Sequence, residues 1–323
     1  MSLRDRLKSE AGTPRPSDLY GRFGVIANPF PASSQTSNNP HLSSSADEEA
    51  TTRILSFLRD HKSQVVVIEG TQGVGKTNFL NYFESDIQDA LSDSEGYYVV
   101  RYLADPEASF EGTIRRLFQE LGTDHLLRLS QKLNENLGAV DVCRSHDMRA
   151  AFVCLSQSPN DEELARLFMD WLLGLRLLKI HRERLNVQFR LDTVESKTAA
   201  LRDLVLVSSE AGVLEGIFLL LDELEKQDGV LGPTAVVRYL SAMRAIIDAL
   251  PNHLFMMIAV TPDAMRRYSA ALLPSEAGCR IRSPSCHSLM LARLWHWPTS
   301  TSRMPRLRGS VYVQGHGLVL RNL

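Results

Sequence analysis

Gly70, Gly75, Lys76 and Thr77, in the stretch VVVIEGTQGVGKTNF, satisfy G-x-x-x-x-G-K-[ST] at every fixed position. Glycines let backbone N–H groups converge on anionic oxygens, and a helix that follows turns its positive end to the same anion. In such a cradle Lys76 reaches the β and γ phosphates of a nucleotide, and the Thr77 hydroxyl holds Mg²⁺. The whole cradle is Gly70, Thr71, Gln72, Gly73, Val74, Gly75, Lys76, Thr77 and Asn78. A second chemical pair, Asp222 and Glu223, follows the apolar residues Ile217 to Leu221 in GIFLLLDELEK. That run suits a parallel strand buried on both faces, with carboxylates emerging at its C-terminal edge beside the cradle. Asp222 is then the magnesium acid and Glu223 the base that orients an attacking water. A third run, HLFMMIAVTPD, ends at Thr261. Thr261 either touches the γ-phosphate or the lytic water, or opens the turn that Pro262 sets.

These groups need elements to hold them. QVVVIE, residues 64–69, is a short β-branched strand, and TNFLNYFESDI after the loop has Phe79, Leu80 and Phe83 at helical spacing. GYYVVRYL, residues 96–103, predicts a further core strand, followed by a helix over ASFEGTIRRLFQELG. PTAVVRYLSAMRAIIDAL predicts a helix with Pro233 in its first turn. Ahead of the cradle, PASSQTSNNPHLSSS is a polar loop, and ADEEATTRILSFLRDH is an amphipathic helix with Ile54, Leu55, Phe57 and Leu58 on its apolar side. The stretch between Thr77 and Asp222 is far longer than a strand, two helices and their loops need, which implies an insertion. It is expected to be mostly helical over about residues 123–200. Within it NDEELARLFMDWLLGLRLLKIHRER predicts one helix capped by Asn160 or Asp161. Its stripe of Leu164, Leu167, Phe168, Trp171, Leu175 and Leu178 is expected to be buried in a helical subdomain.

A strand, an acid pair, a helix and a strand ending in a small polar residue together resemble the AAA+ class of P-loop ATPases. Within that class the chain is most similar to the Orc1/Cdc6-like and ExeA-like bacterial group. YGRFGVIANPF, with Asn28, Pro29 and Phe30, is similar to the group's lead-in segment, which lies near the adenine. TAALRDLVLVSSEAGVLEGIFLLLDELEK resembles the ATP-binding proteins of bacterial BREX phage-defence systems. The resemblance covers about residues 20–275. It implies an α/β P-loop NTPase fold, a parallel sheet with helices on both faces, ATP and Mg²⁺ as cofactors, and hydrolysis that drives conformational change or assembly. An arginine finger after the third strand is also implied. Arg266, Arg267, Arg280 and Arg282 are its candidates, with Arg238 and Arg244 on the preceding helix weaker ones; each is read first as a solvated charge. The partners left open are a second copy of the chain, DNA, or a partner protein. The competing reading is a nucleotide-dependent binding module with little or no turnover.

Composition sets the outer limits. The 323 residues are 44% hydrophobic and 23% charged, with a formal charge of −2. No global basic field advertises nucleic acid or an anionic membrane. MSLRDRLKSE has no apolar stretch behind its charges, and IFLLL and LFMMIAV are too short to span a bilayer. A cytoplasmic protein without a membrane partner is expected. Cys143, Cys154, Cys279 and Cys286 show no CxxC spacing and read as unpaired thiols. From Cys279 onward the chain has no Asp or Glu, and Arg280, Arg282, Arg293, Trp295 and Trp297 accumulate. The expected division is therefore a lead-in segment (1–45), an ATPase core (46–278) and an atypical basic tail (279–323), with the C-terminal lid of the class missing or altered. Three readings of the tail compete: a nucleic-acid contact, a disordered extension, or a frameshifted gene.

Overall fold

VVVI, IFLLL and LFMMIAV contain no polar residue to turn toward water, so a sheet built from them needs cover on both faces. The computed structural model describes residues 44–103, 110–222, 233–266 and 278–282. In it β1 (Gln64–Glu69), β2 (Tyr97–Leu103), β3 (Gly216–Asp222), β4 (Leu254–Val260) and β5 (Gly278–Arg282) form one sheet. Its order is β2-β3-β4-β1-β5 and every pair is parallel. β3 and β4 are buried at every position. One row of the register, Tyr102, Leu221, Ile258, Val67 and Arg280, runs straight across.

Alternate residues of the strands serve two different layers. Val66, Ile68, Phe218, Leu220, Phe255 and Met257 pack with α1 (Ser45–Asp60) and α2 (Lys76–Ala90). Phe57 of α1 meets the Phe218 ring edge-on, centroids 5.1 Å apart. Gly216 admits that ring, because a Cβ there would lie 2.8 Å from Phe57 Cζ. Ile54 and Phe57 are buried as their spacing predicts, whereas Leu55 is 54% exposed. One step along a helix turns about 100°, which carries Leu55 off the stripe.

The opposite layer packs on Val65, Val67, Ile217, Leu219, Met256 and Ile258. Between β2 and β3 every regular element among the described residues is helical: α3 (Glu111–Glu135), a 3₁₀ turn (Leu137–Val142), α4 (His146–Gln157), α5 (Glu162–Leu172), α6 (Lys179–Leu185) and α7 (Val194–Glu210). α8 (Pro233–Ala249) then joins β3 to β4. These helices do not enclose a core of their own. Phe152, Phe168 and Trp171 belong to the same buried cluster as Val67 and Met256, so the insertion is the cover of this face. α3 serves both regions by kinking at Gly122, whose φ of 71° breaks the helical path.

Two expectations change. The long helix over residues 160–184 is two helices, because α5 stops at Leu172 and Gly174 takes φ +78°. A Cβ on Gly174 would also meet Leu191 O at 2.6 Å and Lys197 Nζ at 2.8 Å, so the turn is reserved for glycine twice over. The stripe consequently ends early: Leu164, Leu167, Phe168 and Trp171 are buried, but Leu175 and Leu178 are 51% and 65% exposed. The second change concerns the tail, whose first residues, Cys279 to Arg282, lie in β5 beside β1. Composition hides this because a five-residue strand needs no acid and few apolar residues. Asn28, Pro29, Phe30, Arg267, Cys286, Arg293, Trp295 and Trp297 lie outside the described residues. Cys143 and Cys154 are free thiols, and burial with Asp203 nearby pushes Cys143 up to about 12. Among the described residues no helix is long and apolar enough to cross a membrane.

A buried polar relay ties β2 to the insertion. Arg128 donates to the Tyr98 hydroxyl; Tyr98 Oη and His125 Nδ1 are 2.8 Å apart, and His125 Nε2 is 2.8 Å from Ser208 Oγ on α7. Burial, with Arg128 adding to it, depresses the His125 pKa from 6.5 to about 3. The unfolded chain therefore takes up a proton that the folded chain refuses. Stability should be complete above pH 6.5 and fall as pH drops toward 3, by up to about 1.4 kcal/mol per pH unit from this residue. Urea denaturation of the parent and His125→Gln between pH 7.5 and 4 checks this: the variant should lose that part of the slope even if it is less stable at neutral pH.

Candidate functional site

Strand, glycine turn and helix occur in the order the motif needs, β1 then residues 70–75 then α2. The loop is rooted at both ends: Gly70 N–H donates to Val260 O of β4 at 3.1 Å, and Val74 is buried at 4% exposure. Gly73 and Gly75 take φ +79° and +98°, and no atom lies within 4 Å of a Cβ built on either. Conformation alone, not space, demands glycine there. The space that a side chain would enter lies open in front of the loop.

α2 begins differently from its neighbours. α1, α5 and α7 each begin with an acid in the first turn, and Asp161 and Thr193 cap α5 and α7 through their side chains. α2 has neither a side-chain cap nor an acid in its first turn, and Gly75 is its cap residue. Its own first turn therefore brings no negative side chain to its positive end. Lys76 is only 9% exposed. Its Nζ curls into the turn and donates to Gly70 O at 2.9 Å and Thr71 O at 3.3 Å. Thr77 and Asn78 are half-buried beside it.

Asp222 ends β3 at 1% exposure. It is one strand farther from the loop than the sequence suggests, because β4 lies between β1 and β3. Two strand spacings put the ends of β1 and β3 about 9.5 Å apart. β4, the strand in between, delivers Thr261 nearest the root of the loop. The Thr261 hydroxyl accepts from Ala264 N–H at 3.3 Å and its carbonyl accepts from Met265 N–H at 2.8 Å, so it caps the helical turn over residues 262–266. Of the two roles open to Thr261, this is the turn-opening one, and its O–H proton remains available to an acceptor. Glu223 lies outside the described residues.

Arg101 is the site residue the sequence does not mark. It comes from β2, on the far side of β3, and its Nη2 donates to Asp222 Oδ2 at 2.8 Å. In sequence it is one of 36 Lys and Arg residues in a strand with no motif. Its role follows from register, since Arg101 pairs with Leu220, two residues below Asp222 on the same face. Leaving a carboxylate buried without a counter-charge costs several kcal/mol.

The chain matches no family model, and no curated protein matches it.

Chemically, this sheet edge offers amide N–H groups and an ammonium to an anion with several oxygens, and a hydroxyl with a carboxylate to a hard cation. Among the described residues no three His, Cys, Asp or Glu side chains converge into a protein-only metal cage. The donor set fits magnesium, which keeps waters and substrate oxygens alongside one or two protein ligands. The arginine candidates sort by location. Arg266 pairs with Asp263 and Arg244 with Asp248 on their own helices, Arg238 is exposed, and the backbone of Arg280 and Arg282 lies within β5. Since no atom crowds Gly75, Gly75→Ala should cost stability through backbone conformation alone, roughly 1–2 kcal/mol. Chemical denaturation of the nucleotide-free protein measures that loss.

Proposed function

We propose that the chain is a P-loop NTPase of AAA+ type that binds ATP with Mg²⁺ and hydrolyses it to drive a conformational change or an assembly step. The observation that carries the reading is the start of α2, a helix with no side-chain cap and no acid in its own first turn, entered through two left-handed glycines, with the Lys76 ammonium inside the same turn. ATP in preference to GTP, and a phage-defence or DNA-processing setting, rest on the resemblance alone.

On this reading the amides of residues 73–77 and Lys76 bind the phosphates. Lys76, which donates to the Gly70 and Thr71 carbonyls, would gain charge–charge attraction on turning to phosphate oxygens. Thr77 and Asp222 hold the Mg²⁺, which when bound neutralises charge on the β- and γ-phosphate oxygens. Glu223, next in sequence after the β3 terminus, orients the attacking water and takes its proton. On this reading Thr261, at the end of the strand between, would touch the γ-phosphate or that water through its remaining O–H while it opens the turn. The loop and sheet edge thus bind and orient the triphosphate, and the acids supply the step that cleaves it.

A second reading, a nucleotide-dependent binding module with slow or no turnover, is favoured by the Arg101–Asp222 ion pair, which neutralises the magnesium acid from within the chain. Hydrolysis measured with and without duplex DNA separates the two, since the module would bind ATP and not turn it over in either condition. A second copy of the chain, DNA and a partner protein stay as proposed partners. Lys76→Ala should abolish tight ATP binding, whereas Glu223→Gln should retain binding and lower turnover by at least 100-fold, roughly what removing a general base costs. Equilibrium binding of a labelled ATP analogue and phosphate release check the pair. Parent-like hydrolysis in both variants would show the site to be elsewhere.

A further inference from the structure

Asp222 and Arg101 meet on the α2 side of the sheet, because both share the strand parity of Phe218 and Leu220. Asp222 is 1% exposed and the Arg101 side chain 15% exposed, so water solvates neither charge fully. A further carboxylate, Glu84, lies on α2, the helix that follows the glycine turn. Glu84 is half-buried, and although burial raises its pKa, the charge of Arg101 pulls in the opposite direction. Arg101 is thus bonded to the acid at the end of β3 and acts by its charge on the acid of α2.

We propose that Arg101 is the positioning residue of this site: it is the counter-charge that holds Asp222 in the nucleotide-free protein, and it yields that carboxylate to Mg²⁺ when nucleotide loads. The proposal rests on reading Asp222 as the magnesium acid. Its physical basis is exclusion. A guanidinium 2.8 Å from Oδ2 and a divalent ion on the same carboxylate repel each other strongly where water is scarce. One of them has to leave. Arg101 itself touches neither phosphate nor water in this scheme.

The test uses the full chain and thermal unfolding, so no turnover is needed. In EDTA without nucleotide, Arg101→Gln should lower the melting temperature by several degrees, because it removes a counter-charge from a buried carboxylate. The double variant Arg101→Gln/Asp222→Asn should melt higher than Arg101→Gln alone. Independent, additive effects of the two substitutions would overturn the counter-charge role. With ADP held saturating and Mg²⁺ titrated, the magnesium concentration at half-maximal stabilisation should fall at least threefold in Arg101→Gln and stay near the parent's in Arg101→Lys. A merely structural arginine would change the starting temperature and leave that concentration unmoved. An unmoved or higher magnesium requirement in Arg101→Gln, in a parent background that responds to ADP, would overturn the competition. A parent that responds to neither ADP nor MgADP would overturn the reading of the site itself.

Discussion

Because β1, β3 and β4 are parallel and in fixed register, their carboxyl ends emerge along one edge, and any polar residue that ends one of their apolar runs is delivered there whatever its distance along the chain. The glycine turn, Thr261 and Asp222 reach the same rim in this way. Three charges meet at that edge: the Lys76 ammonium, the positive end of α2 and the Asp222 carboxylate. Lys76 and Asp222 are drawn from water far enough to need a partner. The chain supplies partners itself, the Gly70 and Thr71 carbonyls for Lys76 and the Arg101 guanidinium for Asp222.

The two faces of the sheet carry unequal loads. α1 and α2 cover one face through a cluster of aromatic and aliphatic side chains centred on Phe57, Phe79 and Phe83. The other face is sealed by α3, α7, α8 and the helices between them, in a single buried cluster that reaches from Val67 to Trp171. β2, like β1, β3 and β4, touches both. Tyr98 faces the insertion and joins the relay through His125 to Ser208, while Arg101, three residues on, faces α2 and holds Asp222. Asp222 is in this way one strand removed from the insertion.

Several parts of this arrangement were legible from residues alone. Val65 to Ile68, Ile217 to Leu221 and Leu254 to Val260 are strands because apolar runs without alternation fit a sheet covered twice, and Phe79, Leu80 and Phe83 form the inner face of α2 at helical spacing. Other parts were not. Leu175 and Leu178 continue the apolar period of α5 on paper, but Gly174 ends the helix first, and nothing in the periodicity announces a turn enforced by contact with Leu191 and Lys197. β5 escaped notice for a related reason: its composition matches the tail that follows, and only pairing with β1 makes Gly278–Arg282 a strand.

What the sequence determined by itself is local chemistry. The spacing of Gly70, Gly75, Lys76 and Thr77 dictates a turn with left-handed glycines and an ammonium at a helix start, since φ preference and helix geometry act over a few neighbouring residues. Strand order and pairing were decided only by the tertiary structure. That β4 separates β1 from β3, and that Arg101 rather than a nearer cation answers Asp222, depends on how residues 121 positions apart in the chain come into register. Contacts of that range arise from packing the whole core at once, and no short window of residues contains them.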